Sequence, residues 1–251
     1  MSTRFDLDDQ EWSLIEPLLP QGLRGARRRD DRQVLNGIFY VLRTGCPWRD
    51  LPERYGSYTT CYNRYNRWTK RGVWKNIFDQ LAKKSKHSLH LIDSTIVRAH
   101  RSASGAKGGE LEQCIGRSRG GRTTKLHAVV DGQGRPLKFV LTGGQAHDAP
   151  VLPELLGHKK PPLAICADKA YDSRAIRQAI MDDGALSVIP CRTTNKEQIP
   201  CDQRLYRERN IVERFFCRLK DMRHIAQRFD KHADNFLSAV YLFSIRLWLN
   251  Y

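Results

Sequence analysis

Apolar and polar residues follow two different periods along the chain, and the change falls near residue 88. Before it, four segments place apolar residues three or four positions apart, which is typical of amphipathic helices. These segments are residues 6–19, 31–44, 58–71 and 73–84. After it, short apolar runs bounded by turn residues predict strands. The pattern therefore predicts a small all-α domain over residues 1–86 and an α/β domain over residues 87–251.

In the second region the predicted order is strand, hairpin, helix, strand, helix, strand, helix. Two apolar strands, 88–93 and 163–168, each end in an aspartate, Asp93 and Asp168. Residues 101–121 are rich in glycine and predict a long loop. The remaining predicted elements are a hairpin over 125–144, helices over 148–156, 173–183 and 235–250, and a strand over 186–190. This alternation predicts a mixed sheet with flanking helices.

The third helical segment combines an aromatic side with a cationic side. Cys61, Tyr62, Tyr65 and Trp68 share one side. The opposite side carries Asn63 and the cations Arg64, Arg67, Lys70 and Arg71. Such a helix, third in a small helical domain, predicts a helix-turn-helix that binds DNA. The alternative is a packing role without DNA. An arginine-rich loop, with Arg24, Arg27, Arg28 and Arg29, predicts a mobile basic segment or a phosphate contact.

The segment from residue 206 to residue 220 predicts one further helix. At about 100° per residue, Tyr206, Arg209, Glu213 and Lys220 fall within an arc of about 60°. A neighbouring apolar arc, Val212, Phe215, Phe216 and Leu219, predicts the buried side. A carboxylate between cations at the edge of a buried face suits a metal site beside a phosphate chain. The alternative is a surface ion pair between Arg209 and Glu213.

The net charge of +16 predicts a polyanionic partner. Lys and Arg exceed Asp and Glu on both sides of residue 86, so both regions are expected to contact it. The seven cysteines form no C-x-x-C pair and predict free thiols in a reducing cytoplasm. No apolar leader and no membrane-spanning run is evident, which predicts a cytoplasmic protein without a membrane partner.

Three acids define the candidate chemistry of the second region. Ligands of open α/β sheets bind beyond the carboxyl ends of strands. Adjacent carboxylates at Asp93 and Asp168 would repel unless a cation lies between them. With Glu213 they form a set of oxygen donors that suits Mg²⁺ or Mn²⁺. Two such ions about 3.5–4 Å apart support phosphodiester chemistry.

These residues also resemble a known family. The spacing Tyr206-x2-Arg209-x3-Glu213-x6-Lys220 resembles the signature of bacterial insertion-sequence DDE transposases. LHLIDST (89–95) and ICADKAYDS (165–173) are similar to the segments that bear the two aspartates of that family. TGCPWRDLP (44–52) and GRTTKLHAVVD (121–131) are similar to the insertion-sequence-five family. The resemblance implies a ribonuclease-H-like catalytic domain after a helix-turn-helix-like domain.

The resemblance also implies roles for single residues. Asp93, Asp168 and Glu213 are expected to be catalytic and to hold two Mg²⁺ ions, with Mn²⁺ substituting. Arg209 and Lys220 are expected to contact DNA near the cleaved phosphate, and Tyr206 contacts DNA or orients the helix. The segment GQAHDAP, with His147 and Asp148, also looks like a family segment; His147 is expected near a phosphate or as a structural histidine. By their position between the first acid and the hairpin, and not by the resemblance, further cations are expected to help hold DNA, the alternative being an ordinary solvated loop: Arg117, Arg119, Arg122 and Lys125.

The sequence thus predicts a DNA transposase that binds terminal inverted repeats, cleaves DNA and joins it to target DNA. Joining two ends predicts a homodimer or larger assembly on DNA, in the nucleoid of a bacterial cytoplasm. Two alternatives remain open at this stage. One is a catalytically inactive, transposase-derived DNA-binding protein, and the other is a metal-dependent nuclease without strand transfer.

Overall fold

The computed structural model describes residues 5–20, 30–156, 161–193, 195 and 198–250. The predicted arginine-rich loop lies outside these residues.

The helices are α1 (Asp9–Ile15), α2 (Asp31–Thr44), α3 (Tyr58–Lys70), α4 (Val73–Ala82), α5 (Gly109–Glu112), α6 (Leu152–Leu155), α7 (Arg174–Asp182), α8 (Gln203–Arg207), α9 (Asn210–Lys220), α10 (Arg223–Ala226) and α11 (Ala233–Leu249). The strands are β1 (Leu89–Ala99), β2 (Gly116–Ser118), β3 (Gly121–Asp131), β4 (Pro136–Gly143), β5 (Ala164–Ala167), β6 (Leu186–Val188) and β7 (Gln227–Arg228).

Contacts within the chain form two compact units. The first comprises Met1–Leu81, Ala99–Gly109 and Leu219–Tyr251, and the second comprises Ala82–Arg98 and Glu110–Arg218. The contact units differ from the predicted division after residue 86, since the C-terminal helices belong with the N-terminal ones. The division into a DNA-binding and a catalytic domain stays a prediction about function.

The first unit is helical, and α11 supplies much of its core. This helix is buried on nearly all sides, and the ring of Tyr241 lies 5.0 Å from that of Phe78 in α4. Its apolar composition therefore reflects packing inside a helical unit. No helix in the described ranges is both long and apolar enough to cross a membrane. The predicted helix over 31–44 is confirmed as α2, which Asp30 caps and Gly45 ends at a left-handed φ of 70°.

The side chain of Arg64 corrects the predicted faces of α3. The sequence places Arg64 on the exposed cationic side, whereas only 3% of the residue is exposed. Its guanidinium forms an ion pair with Asp31 at the start of α2 and lies 5.0 Å from the ring centre of Trp68. A buried counter-charge and an aromatic ring replace its water shell, so tertiary packing overrides the simple helical wheel. Arg67, Lys70 and Arg71 are exposed as predicted.

The second unit is built on a mixed sheet in the order β2-β3-β1-β5-β6, with β4 also paired to β3. β1 pairs antiparallel with β3 and parallel with β5, and β5 pairs parallel with β6. The predicted hairpin is confirmed as β3 and β4. This arrangement of strands, with helices beside it, confirms the predicted mixed sheet with flanking helices.

Strand register decides which side chains share a face of this sheet. Asp93 lies opposite Ala128, and Ala128 lies opposite Phe139, so these three residues form one row on one face. The ring of Phe215 in α9 lies 6.0 Å from that of Phe139, which places α9 against this face. The other face carries the apolar cluster that α6 and α7 cover, with Ile92, Val129, Val140, Leu152 and Ile176 among its members.

Several predicted elements of this unit have different bounds. β1 continues to Ala99, so Asp93 lies within a strand and not at its end, because antiparallel pairing with β3 extends to Arg98. The predicted loop over 101–121 includes α5 and β2, and the helix predicted over 148–156 is a 3₁₀ turn (Ala149–Val151) followed by α6.

The prediction of a single helix from residue 206 to residue 220 is also wrong. α8 ends at Arg207 and α9 begins at Asn210. The amides of Arg209, Ile211 and Val212 each bond the carbonyl three residues earlier. Such i→i−3 bonds tighten the backbone and interrupt an α-helix. Tyr206 therefore lies on a separate short helix from Glu213.

Substituting Arg64 by Ala should lower the free energy of unfolding by about 3–5 kcal/mol, because it removes the buried counter-charge of Asp31. Urea denaturation measures this loss. Arg67→Ala, one turn further along α3 and exposed, is the matched control and should change stability by less than about 0.5 kcal/mol. Equal effects of the two substitutions would contradict the assignment of Arg64 to the core.

Candidate active site

Asp93 and Asp168 become neighbours through the parallel pairing of β1 and β5. The last register pair is Ile92 with Ala167, and the two aspartates follow these residues on adjacent strands. Adjacent strands lie about 4.8 Å apart, so the carboxylates project from neighbouring positions. Backbone amides hold one oxygen of each: Ser94 N donates to Asp93 Oδ1 and Ala170 N donates to Asp168 Oδ1, both at 2.8 Å. Asp168 thereby caps the 3₁₀ turn Lys169–Tyr171.

Arg209 connects Asp93 to the third acid. Its Nη2 donates to Asp93 Oδ2 and its Nη1 donates to Glu213 Oε1, both at 2.7 Å. The Arg209 side chain is 19% exposed and that of Asp93 14%, whereas Glu213 is 53% exposed. The surface pair between Arg209 and Glu213 that the sequence allowed is therefore present, but the same guanidinium also reaches the sheet.

The electrostatics of these groups favour a cation among the carboxylates. Burial raises the pKa of Asp93, Arg209 and the Ser94 amide oppose that rise, and Asp168 and Glu213 add to it. Burial lowers the pKa of Arg209, but Asp93, Glu213, Tyr206 and Asp168 outweigh it, and the pKa lies above its usual value. The negative charges are thus close enough to repel, and Arg209 offsets part of that repulsion.

Carboxylates are the ligands that divalent cations such as Mg²⁺ take in proteins, so the donor set fits such an ion. The guanidinium between Asp93 and Glu213 shows that these two side chains already accommodate positive charge. Among the described residues, no three His, Cys, Asp or Glu side chains converge as closely as metal ligands do. The described geometry is thus that of an arginine-bridged site.

The other predicted site residues occupy varied positions. Tyr206 is half-buried, and burial raises the pKa of its phenol, with Arg209 opposing and Asp168 among the groups that add to the rise. Lys220 is exposed, belongs to the first unit, and lines a pocket of about 420 Å³ with Arg43, Thr44 and Arg223.

The cations between β1 and β4 separate into an exposed and a buried group. Arg117, Arg119 and Arg122 are exposed, and Arg122 pairs with Glu110 at 2.6 Å. Lys125 is buried, and its Nζ donates to the carbonyl of Ala146 at 2.6 Å and to Asp148 Oδ1 at 3.1 Å. A DNA contact by Lys125 stays a prediction, although the observed bonds give its ammonium a role inside the protein.

Sequence reasoning missed the group of polar residues around Asp148. Ser94 Oγ donates to Asp148 Oδ1 at 2.9 Å, and His127 Nδ1 lies 3.5 Å from the same oxygen. His127 Nε2 and Thr142 Oγ1 are 2.9 Å apart. His147, the histidine that the sequence singled out, is exposed. The histidine with polar partners is instead the buried His127, in GRTTKLHAVVD. Only the strand register shows that His127 lies beside these residues.

Two family matches cover most of the chain. Residues 84–248 match the family described as "Transposase DDE domain", and residues 7–78 match "Putative transposase of IS4/5 family". A putative transposase for insertion sequence element IS6501 from Brucella ovis is 39% identical over 128 residues, which are 51% of this chain and 98% of that protein. A putative transposase for insertion sequence element IS402 from Burkholderia cepacia is 33% identical over 122 residues, or 44% of this chain and 56% of that protein.

A solved structure is also similar in part. The crystal structure of the Mos1 strand transfer complex covers 81% of both chains with a TM-score of 0.30 and 15% identity, and the family assignment does not depend on it. The DDE match spans more than half of the chain, so this protein belongs to the DDE transposase family. It is a DNA transposase of the insertion-sequence type, and the resemblance stated from its sequence is confirmed.

The buried imidazole of His127 predicts a pH dependence of stability. Burial lowers its pKa to about 4, with Lys125 adding to that effect and Asp148 opposing it. The unfolded chain binds this proton near pH 6.5, so the contribution of His127 is present above pH 6.5 and is lost as pH falls towards 4. Between pH 7 and pH 5 this amounts to about 2 kcal/mol.

Denaturation of His127→Gln across this range should show a shallower loss of stability at acid pH than the original chain, whatever its stability at pH 7. His147→Gln, which alters an exposed histidine, is the control and should keep the original slope. Identical slopes for His127→Gln and the original chain would show that His127 does not titrate in this way.

Proposed function

We propose that this transposase cleaves DNA at the ends of an insertion sequence and joins the freed ends to target DNA at one site formed by Asp93, Asp168 and Glu213. The observation that carries the proposal is their connection: strand register makes the aspartates neighbours, and Arg209 links Asp93 to Glu213. Membership of the DDE transposase family supports the same assignment.

The three carboxylates would hold divalent cations, for which the family has a general requirement, and we propose two Mg²⁺ ions, with Mn²⁺ able to replace them. When bound, such ions activate a water or hydroxyl nucleophile and stabilise the leaving oxygen of a phosphodiester. Asp93 lies in β1 and Asp168 directly follows β5, while Glu213 approaches from α9. The sheet and the turn after β5 would thus supply two carboxylates, and α9 would supply the third.

The remaining residues of the site position DNA and balance charge. Arg209 would keep its bond to a carboxylate while its positive charge lies beside the scissile phosphate. Tyr206, half-buried beside Arg209, would orient that guanidinium or contact the sugar-phosphate chain. Lys220 would bind a phosphate from the end of α9.

The reaction would use the same carboxylates twice. Water first attacks the phosphodiester at the end of the element and releases a 3′-hydroxyl. That hydroxyl then attacks a phosphodiester of the target DNA, so one bond forms as another breaks and no covalent bond to the protein is needed. Joining two ends calls for a dimer or a larger assembly on DNA, acting in the bacterial cytoplasm.

The helical region would recognise the terminal repeats. α3 presents Arg67, Lys70 and Arg71 to solvent, and we propose that this helix enters the major groove with these cations on bases or phosphates. Arg64 would support α3 from inside the protein through Asp31. Arg119 and Arg122, beside the turn between β2 and β3, would contact DNA held by the second unit.

Replacing Asp168 by Asn should reduce cleavage of an end-containing duplex by at least about 100-fold in Mg²⁺, because one cation ligand is lost. Binding of the same duplex should remain within a few-fold of the original chain. Gel assays of cleavage and of binding separate the two effects. Asp182→Asn, which removes an acid at the end of α7, is the control. Unchanged cleavage by Asp168→Asn would exclude the proposed site.

Replacing Arg67 by Ala should weaken binding of DNA and reduce the slope of log K against log salt by about 0.9, the value for one lost phosphate contact. Fluorescence anisotropy from low to moderate salt measures this slope. Lys75→Ala, a substitution on α4 of a lysine paired with Asp79, should leave the slope unchanged. An unchanged slope for Arg67→Ala would exclude it from the phosphate contacts.

A further inference from the structure

A fourth acid, Asp148, lies in the second unit outside the predicted set. It follows β4 and precedes the 3₁₀ turn Ala149–Val151. Its Oδ1 accepts from Ser94 Oγ at 2.9 Å and from Lys125 Nζ at 3.1 Å. Its side chain is 19% exposed, and among the described residues its Oδ2 receives no hydrogen bond. One oxygen is therefore anchored, and the other is available to a ligand.

Ser94 couples this acid to Asp93. Its backbone amide donates to Asp93 Oδ1 at 2.8 Å while its hydroxyl donates to Asp148. Because side chains alternate across a sheet, Asp93 faces α9 and Ser94 faces the opposite side. Asp148 thus approaches from one face of the sheet and Glu213 from the other. Asp93 and Asp168 lie between these two acids.

Tyr171 is a second, independent sign of a site at this place. Its ring is 1% exposed, and its hydroxyl has no hydrogen-bond partner within the described ranges. Burial raises the pKa of this phenol most, and Asp148, Asp93 and Asp168 raise it further in that order. This buried phenol, which the charges of three carboxylates influence, is a hydrogen-bond donor without an acceptor among the described residues. Most buried polar groups of folded proteins have a partner, so the unpaired hydroxyl of Tyr171 calls for an explanation such as a bound water or ion.

We infer that Asp148 is a fourth acidic residue of the active site, anchored through Oδ1 by Ser94 and Lys125, whose Oδ2 binds a divalent cation beside Asp93 and Asp168. This inference rests on the proposed function. Lys125 Nζ lies 3.1 Å from Asp148 Oδ1 and offsets the charge of this acid within the protein. Buried Tyr171 supplies a neutral hydroxyl toward the same carboxylates or a water bound by them.

Binding of Mn²⁺ to the full chain without DNA tests this inference, by calorimetry or by the electron paramagnetic resonance of free Mn²⁺. Asp148→Asn should lower the affinity for Mn²⁺ by roughly 10-fold or more. Glu154→Gln removes an exposed acid six positions later and should have no effect. Ser94→Ala removes only the bond to Oδ1 and should have a smaller effect than Asp148→Asn.

The comparison with Asp93→Asn separates two kinds of failure. Loss of Mn²⁺ affinity in Asp93→Asn with none in Asp148→Asn would overturn the inference and leave the proposed function intact. No effect of Asp93→Asn would overturn the metal site of the proposed function. Equal losses in Ser94→Ala and Asp148→Asn would show that Asp148 only positions Ser94, which also overturns the inference.

A second variant tests the inference in case Asp148→Asn does not fold. Asp148→Asn combined with Lys125→Met removes both members of the buried ion pair and leaves no unpaired charge. The double variant should show the same roughly 10-fold loss of Mn²⁺ affinity. Affinity equal to that of the original chain in a folded double variant would contradict the inference.

Discussion

The candidate active site brings carboxylates together at one position of a sheet, where they repel one another. Burial and two neighbouring acids raise the pKa of Asp93, and ionised carboxylates in such a place require positive charge. Arg209 provides it by bonding Asp93 and Glu213 with separate nitrogens. An arginine cannot lose its proton at physiological pH, so its charge offsets part of the repulsion between the acids at every such pH. Carboxylate oxygens are also the donors that divalent cations take in proteins.

The fold imposes this gathering through register and packing. Parallel pairing of β1 with β5 makes Asp93 and Asp168 neighbours, and the row from Asp93 through Ala128 to Phe139 carries the ring against which Phe215 packs. That contact positions α9, and with it Glu213. Arg209 lies in the interruption between α8 and α9, and its side chain bonds Asp93 on the sheet. Candidate site residues from distant parts of the sequence thus depend on a few apolar contacts.

Much of this arrangement could be predicted from the sequence, because the relevant signals are local. The period of α2, the turn between β3 and β4, and Ser173 as the cap of α7 need no tertiary information. Aspartates after apolar runs and a helical spacing indicate the three candidate acids, although Asp93 lies within β1 and the predicted helix is interrupted before Asn210. Long-range pairing decided the rest: antiparallel bonds extend β1 beyond Asp93, and an ion pair with Asp31 buries Arg64. The contact between Ser94 and Asp148 joins residues 54 positions apart, and no local pattern reports it.

The central claim is that these acids support joining of DNA as well as its cleavage. Duplexes that carry pre-cut element ends with free 3′-hydroxyls, incubated with supercoiled target DNA and Mg²⁺, test it most directly. The account predicts covalently joined products with the original chain and none with Glu213→Gln, while both proteins bind the ends. Target DNA that is only nicked or degraded, with no joined product under conditions in which the chain cleaves uncut ends, would contradict it.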